Sequence, residues 1–177
     1  MSSPAVAVKA PSARTVAHKF GGTSVADADR YRHVAQLLLA REEAVQVTVV
    51  SAMKGVTDAL IDLARAAAKP ATGVTPEWRE RWHELRARHR GAAVSLLGEH
   101  AGGAVEWLDQ RFDELAQVLG ALSVIGGLPE EVLQRVQGLG EVYSARLLGE
   151  HLRALGEDCA VLDARDVLVV SHGELGV

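Results

Sequence analysis

Apolar positions along this chain follow two different periods. Two short runs near the start, TVAHKF at 15–20 and VQVTVV at 45–50, are rich in β-branched residues and predict strands. The second is nearly continuous in valine, the pattern expected of a strand covered on both faces. Between them, residues 27–43 place Tyr31, Val34, Leu37 and Leu38 at helical spacing, with Asp27 or Ser24 as the candidate cap. Residues 56–68 repeat that pattern through Val56, Leu60, Ile61, Leu63 and Ala64.

A loop, KPATGVTP, leads to a charged helix from Pro76, with Thr75 as its expected N-cap and Trp78, Trp82 and Leu85 along one side. A second helix over 105–122 carries Trp107, Leu108, Phe112, Leu115, Val118 and Leu119. The two read as an antiparallel helical hairpin over 76–122, its tryptophans serving packing and its alternating charges a solvated face. Its apolar residues are also candidates for pairing with a second copy, as a homo-oligomer, or with a further part of the fold. Residues 129–156 are helical with a break at Gly138-Leu139-Gly140, and strands are expected at 159–162 and 167–170 around a polar turn. The order β-α-β-α, two helices, then α-β-β predicts an α/β layered domain with a mostly parallel sheet.

Composition narrows the function classes. With 177 residues the chain can bury a core unaided, and a net charge of -4 leaves no basic footprint for nucleic acid. No run is long and apolar enough to span a membrane. The single cysteine, Cys159, excludes an intramolecular disulfide, fits a reducing cytoplasm and reads as a small packing residue. The first 14 residues, rich in Ser, Ala and Pro, lack the apolar core of a secretory signal and read as a disordered tail. The seven histidines show no metal-ligand spacing, and no HExxH occurs, so no metal site is expected on the chain itself.

Ligands of parallel α/β sheets collect at the carboxyl ends of the strands, where three segments would meet. KFGGTS combines Lys19 with Gly21 and Gly22 at a strand-to-helix turn, where backbone N–H groups and a helix N-terminus favour an anion. It is neither a GxxxxGK[ST] loop nor a GxGxxG fingerprint, and a Gly-Gly pair after a strand is, taken alone, more often just a turn. In VVSAMKGVTD, Ser51 and Thr57 flank a glycine turn and are placed to bond a carboxylate, although the segment by itself favours Thr57 as a cap of the helix that follows. In LGEVYSARLL, Glu141 opens a helix, either satisfying its dipole or holding a ligand ammonium.

Taken together, KFGGTSVA, VVSAMKGVTDALI, GLGEVYSARLL and LDARDVLVV resemble the N-terminal part of aspartokinase, of the amino-acid kinase superfamily, over residues 15–177. The second motif resembles the fused enzymes, with homoserine dehydrogenase or a decarboxylase attached, more than the short forms. The resemblance implies an αβα sandwich of the carbamate kinase-like type, incomplete here and carrying the helical hairpin as an insertion. It implies ATP-dependent phosphorylation of the β-carboxylate of L-aspartate to 4-phospho-L-aspartate, at the start of lysine, threonine and methionine synthesis, with Mg²⁺ bound through the ATP phosphates. It assigns Lys19 to charge stabilisation on the transferring phosphoryl group. Lys19, Phe20, Gly21 and Gly22 would line the nucleotide phosphates. Thr23, Ser24, Ser51, Thr57 and Glu141 would hold aspartate, with Glu141 on its ammonium.

The family pattern continues beyond Val177 with a Gly-rich segment bearing Arg, Ser and Asp, a nucleotide-binding half and regulatory domains. The activity is therefore expected of a longer parent protein, and little or no turnover of this chain alone. Two other functions fit the same turns: a catalytically silent amino-acid or anion binding or interaction module, and a kinase of the same superfamily acting on glutamate or carbamate. KFGGTS followed by SAMKGVTD argues against the last.

Overall fold

The structure, a computed structural model, describes residues 15–43, 45–69 and 76–167. Strand β1 (Thr15–Phe20) runs through helix α1 (Ala28–Leu39) to strand β2 (Val45–Val50), and helix α2 (Val56–Ala67) follows. The two strands pair in parallel, in register from Thr15 opposite Val45 to Phe20 opposite Val50. Both strands have the bounds that their β-branched runs predict. Asp27 caps α1 by accepting a hydrogen bond from the Arg30 amide at 3.0 Å, which selects it over Ser24. The helix stops at Leu39 and not at residue 43, because Arg41, Glu42 and Glu43 offer it no buried face.

The hairpin follows as α3 (Trp78–Leu97), a short 3-10 turn (Gly98–Ala101) and α4 (Gly102–Ile125). Its antiparallel pairing is fixed by cross-contacts that run in opposite chain directions. Trp78 Nε1 donates to Ser123 Oγ at 3.0 Å, Trp82 Nε1 to the Phe112 carbonyl at 2.9 Å, and Arg86 Nε to Asp109 at 3.0 Å. Trp78 and Trp82 are buried within the chain, so they pack and are not open to a partner. The large apolar residues that the hairpin leaves exposed are Val94, Val118, Val124 and Ile125. The Thr75 cap lies outside the described residues, and Glu77, which precedes the helix, makes no capping bond.

The chain then forms α5 (Glu130–Gln137), α6 (Leu139–Ala154) and a four-residue helical turn, α7 (Ala164–Val167). The division between α5 and α6 falls at Gly138, where the sequence predicts a break. Helix α6 runs through the core, burying Tyr143, Ser144, Leu147, Leu148 and Leu152. No helix among the described residues is long and apolar enough to cross a membrane.

Three expectations are corrected. Residues 159–162 form no strand: the Cys159 carbonyl accepts from Arg153 Nε at 2.8 Å, and Val161 packs on Gly149 of α6. An apolar run becomes a strand only where a neighbour offers a ladder, and here a side chain takes the acceptor instead. The expected strand at 167–170 begins inside α7, where Asp163 accepts from the Arg165 amide at 2.9 Å; residues 168–170 lie outside the described residues, as does the expected tail at 1–14. The valine run of β2 is covered on one face only. Val45, Val47 and Val49 are 44%, 49% and 55% exposed, alongside Thr15, Ala17 and Lys19 of β1, while the other face meets the helices. The incomplete layering expected of the sheet is therefore visible as one uncovered side.

The centre of the helical layer is a polar atom in an apolar setting. His89 is fully buried, against Phe112 of α4 and Tyr143 of α6 at ring distances of 5.3 and 5.4 Å. Its Nδ1 donates to the Leu85 carbonyl at 2.8 Å, which leaves Nε2 as an acceptor with no partner among the described residues. Burial pushes its pKa down to about 4, against 6.5 for a free histidine. Between those values the unfolded chain binds the proton and the folded chain does not. Stability is therefore complete above pH 6.5 and falls as pH drops toward 4, by about 3 kcal/mol at most. Burial shifts His151 in the same direction. Urea titrations at pH 7 and pH 4.5 are expected to show this loss, and His89→Gln to remove most of it.

Candidate functional site

The site begins with two turns that leave the strands at the same edge. After Phe20 the chain turns through Gly21 and Gly22, closed by a hydrogen bond from the Ser24 amide to the Gly21 carbonyl at 2.8 Å. After Val50 it turns through Ser51–Gly55, and the Ser51 amide extends the ladder by donating to the Phe20 carbonyl at 2.9 Å. Gly55 enters α2 with φ of 77°, a left-handed conformation that side chains oppose. The helix therefore begins at Val56 with Gly55 as its N-cap. Thr57 is then inside the first turn and is not the cap; its half-buried hydroxyl makes no hydrogen bond among the described residues.

The two turns touch through backbone. A Cβ on Gly22 would stand 2.8 Å from the Ala52 carbonyl oxygen, closer than a real Cβ tolerates. Gly21, by contrast, has nothing within 4 Å of a Cβ position, so one glycine serves the contact and its neighbour leaves open space. The first turn of α6 closes the group from a third side. A Cβ on Gly140 would meet the Ala52 methyl at 2.7 Å and Val56 Cγ1 at 3.0 Å, so α6 sits directly on the second turn. That contact brings Glu141 over it, where Oε1 accepts from the Ala52 amide at 3.4 Å.

Glu141, Ser51, Thr57 and Gly22 thus gather around the turn of residues 51–57, although Glu141 and Ala52 are 89 residues apart. Thr23 is exposed and Ser24 half-buried in the neighbouring turn. Phe20 faces the helical layer and packs against the core. Lys19 stands apart from that group. The strand alternation puts it on the uncovered face of the sheet, opposite Val49, with no hydrogen bond or ion pair among the described residues. It precedes Gly21 by two residues and makes no ion pair with Glu141 among the described residues. Among the described residues no group of three or more His, Cys, Asp or Glu side chains is placed to hold a metal.

Sequence reasoning missed two contributors. Arg88 of α3 donates to the Lys54 carbonyl at 2.8 Å and to the Ala26 carbonyl at 3.5 Å, so the hairpin holds both turns. It also lines a cavity of about 300 Å³ beside Asp27, Met53 and Ser95. Nothing in the helical pattern distinguishes Arg88 from the arginines around it. The second is a hydrogen bond between Tyr31 and Ser144, 2.7 Å long and fully buried. A tyrosine on an apolar stripe and a serine within a helix give only a weak signal of it.

A parallel β-α-β unit whose glycine turns open at the strand ends, faced by a carboxylate on a helix, defines an α/β domain of the layout in which ligands collect at the strand ends. Comparison with known proteins makes this specific: residues 14–175 match the amino acid kinase family, and the chain belongs to that family. It is 34% identical over 154 residues to bifunctional aspartokinase/homoserine dehydrogenase 1, chloroplastic, of Arabidopsis thaliana, an alignment covering 86% of this chain and 16% of that protein. It is 31% identical over 151 residues to an aspartokinase of Chlamydia muridarum, covering 85% of this chain and 30% of that one. Among solved structures it resembles E. coli aspartokinase III in complex with aspartate and ADP, with a TM-score of 0.68 and 26% identity over 82% of this chain and 30% of that one. The chain thus spans less than a third of the length of these relatives.

The contrast between the two glycines is directly measurable. Gly22→Ala is expected to destabilise the fold by about 1–3 kcal/mol, because a backbone carbonyl has to move. Gly21→Ala is expected to stay within about 0.5 kcal/mol, since it meets open space. Urea denaturation of both variants checks the difference.

Proposed function

We propose that this chain supplies the aspartate-binding side of an aspartate kinase. The observation that carries the reading is the convergence of Glu141, Ser51, Thr57 and the Gly22 turn at one end of a parallel sheet, together with the similarity to aspartokinases. Glu141 binds the substrate ammonium. The Ser51 and Thr57 hydroxyls and the amides of the first turn of α2 hold carboxylate oxygens, with Thr23 and Ser24 completing that side. Lys19 and the backbone at Phe20, Gly21 and Gly22 face the phosphates of ATP, with Gly21 the open position.

In the reaction a β-carboxylate oxygen of L-aspartate attacks the γ-phosphorus of ATP. The bond from that phosphorus to the bridging oxygen breaks, ADP leaves, and an acyl phosphate, 4-phospho-L-aspartate, is formed. A carboxylate needs no deprotonation at neutral pH, so the residues here supply positioning and charge and no general base. Lys19 offsets the charge that accumulates on the phosphoryl oxygens. The uncovered sheet face and the glycine that a Cβ would not obstruct fit an approaching polyphosphate. Mg²⁺, carried on those phosphates, supplies further charge neutralisation when bound. The reaction stands at the head of lysine, threonine and methionine synthesis, in the cytoplasm, in a protein of the type that is also found fused to homoserine dehydrogenase.

Calorimetry tests both halves of the reading. L-Aspartate is expected to bind the chain and L-glutamate to bind at least tenfold more weakly; equal affinities would remove aspartate as the substrate. Glu141→Gln is expected to weaken aspartate binding by about 10- to 100-fold, the worth of a charge-assisted contact. Lys19→Met is expected to leave aspartate affinity within about twofold while weakening the binding of Mg·ATP by about tenfold or more.

A further inference from the structure

We propose that Tyr31 and Ser144 are positioning residues for Glu141: their buried hydrogen bond sets the rotation of α6 and thereby aims the carboxylate at the substrate ammonium. The inference rests on the reading of Glu141 given above and deepens it.

Glu141 is poorly held by its own contacts. It accepts one hydrogen bond among the described residues, from the Ala52 amide at a long 3.4 Å. Its position is therefore set by the helix that carries it. The first turn of α6 is fixed on one side by Gly140 against Ala52, Val56 and Leu60, an apolar contact with no directional preference. Such a contact fixes the separation of α6 from α2, and Tyr143 packed on His89 and Phe112 orients the helix, but both are apolar contacts that tolerate small rotations. At a side-chain radius of roughly 5–6 Å, a 20° rotation displaces a carboxylate by about 2 Å, enough to lose a hydrogen bond.

The directional restraint comes one turn further along the same face, where α6 meets α1. Ser144 lies three residues beyond Glu141, one turn along α6, and its Oγ is 2.7 Å from the phenol oxygen of Tyr31. Both residues have no exposed surface. Tyr31 belongs to the first turn of α1, the helix that leaves the Gly21-Gly22 turn. One hydrogen bond thus joins the helix after the phosphate-side turn to the helix that bears the ammonium-side carboxylate. Burial pushes the Tyr31 phenol pKa up, so the group stays neutral and able to donate throughout the working pH range. A buried pair of this kind is costly to break, because each hydroxyl left behind loses its partner without gaining water.

The test measures discrimination and not affinity alone. Succinate has both carboxylates of aspartate but no ammonium, so the preference for aspartate over succinate reports Glu141. In calorimetry the unaltered chain is expected to prefer L-aspartate, and Glu141→Gln to lose that preference. Tyr31→Phe and Ser144→Ala are each expected to cut aspartate affinity by about 3- to 10-fold and leave succinate affinity within twofold. The double variant is expected to be no worse than the more affected single, because both changes remove the same bond. Circular dichroism verifies folding, and if one single variant does not fold the other supports the same comparison. Equal weakening of both ligands, or no weakening, overturns the positioning role and leaves the Glu141 reading intact. An unaltered chain without a preference for aspartate, or a Glu141→Gln chain that keeps it, overturns the Glu141 reading and this inference with it.

Discussion

Backbone meets backbone where Gly22 comes up to the Ala52 carbonyl, and the rest of the site is arranged around that contact. Two chain turns can lie this close only if one of them has no side chain at the point of approach. With the turns in contact, the peptide groups at the strand ends form one surface. Gly140 repeats the device on the second turn, letting the start of α6 descend until Glu141 reaches the Ala52 amide. The acid is thus delivered by the absence of atoms on its neighbour. Side chains with chemistry are held in this protein by positions that have none.

The hairpin of α3 and α4 extends this arrangement outward. Its ion pairs, Arg86 and Arg90 with Asp109 and Arg86 with Asp113, are partly exposed and add little to stability individually. Its rigidity comes from buried aromatic surface: Phe112 meets Trp82, His89 and Tyr143 of α6, and His89 also meets Tyr143. Because α6 belongs to that cluster, the hairpin sets where α6 lies. Arg88, reaching back to the Lys54 and Ala26 carbonyls, ties the same hairpin to the two turns. The cost of the cluster is an imidazole nitrogen held in an apolar setting without a partner among the described residues, and the burial that isolates it also makes His89 acid-sensitive.

Much of this was legible in the sequence, for identifiable reasons. The strands at 15–20 and 45–50 are short, β-branched and bounded by glycine or polar residues, so pattern and structure coincide. The break before α6 showed in its glycines, and the three turns showed in clusters of Gly, Ser, Thr and Lys that apolar packing does not explain. What was not legible depends on partners distant in the chain. The run at 159–162 has strand composition, but Arg153 takes a carbonyl that a neighbouring strand would need. The valines of β2 promise two covered faces, and the helices cover one. Thr57 reads as a cap until Gly55 is seen in the left-handed region, which starts the helix two residues earlier than a Thr57 cap would and leaves the hydroxyl free for other work. Tyr31 and Ser144 are separated by 113 residues, and no local pattern announces their meeting.

That same separation has a consequence for the order in which the molecule takes shape. Helices and the hairpin depend on neighbours close in sequence and are favoured early, whereas a contact spanning most of the chain must wait until a long loop has been closed. The junction of α1 and α6 is then among the last features to be completed. On the function proposed above, ligand binding would report that folding has finished, and would stabilise the finished molecule over the partly assembled forms that precede it.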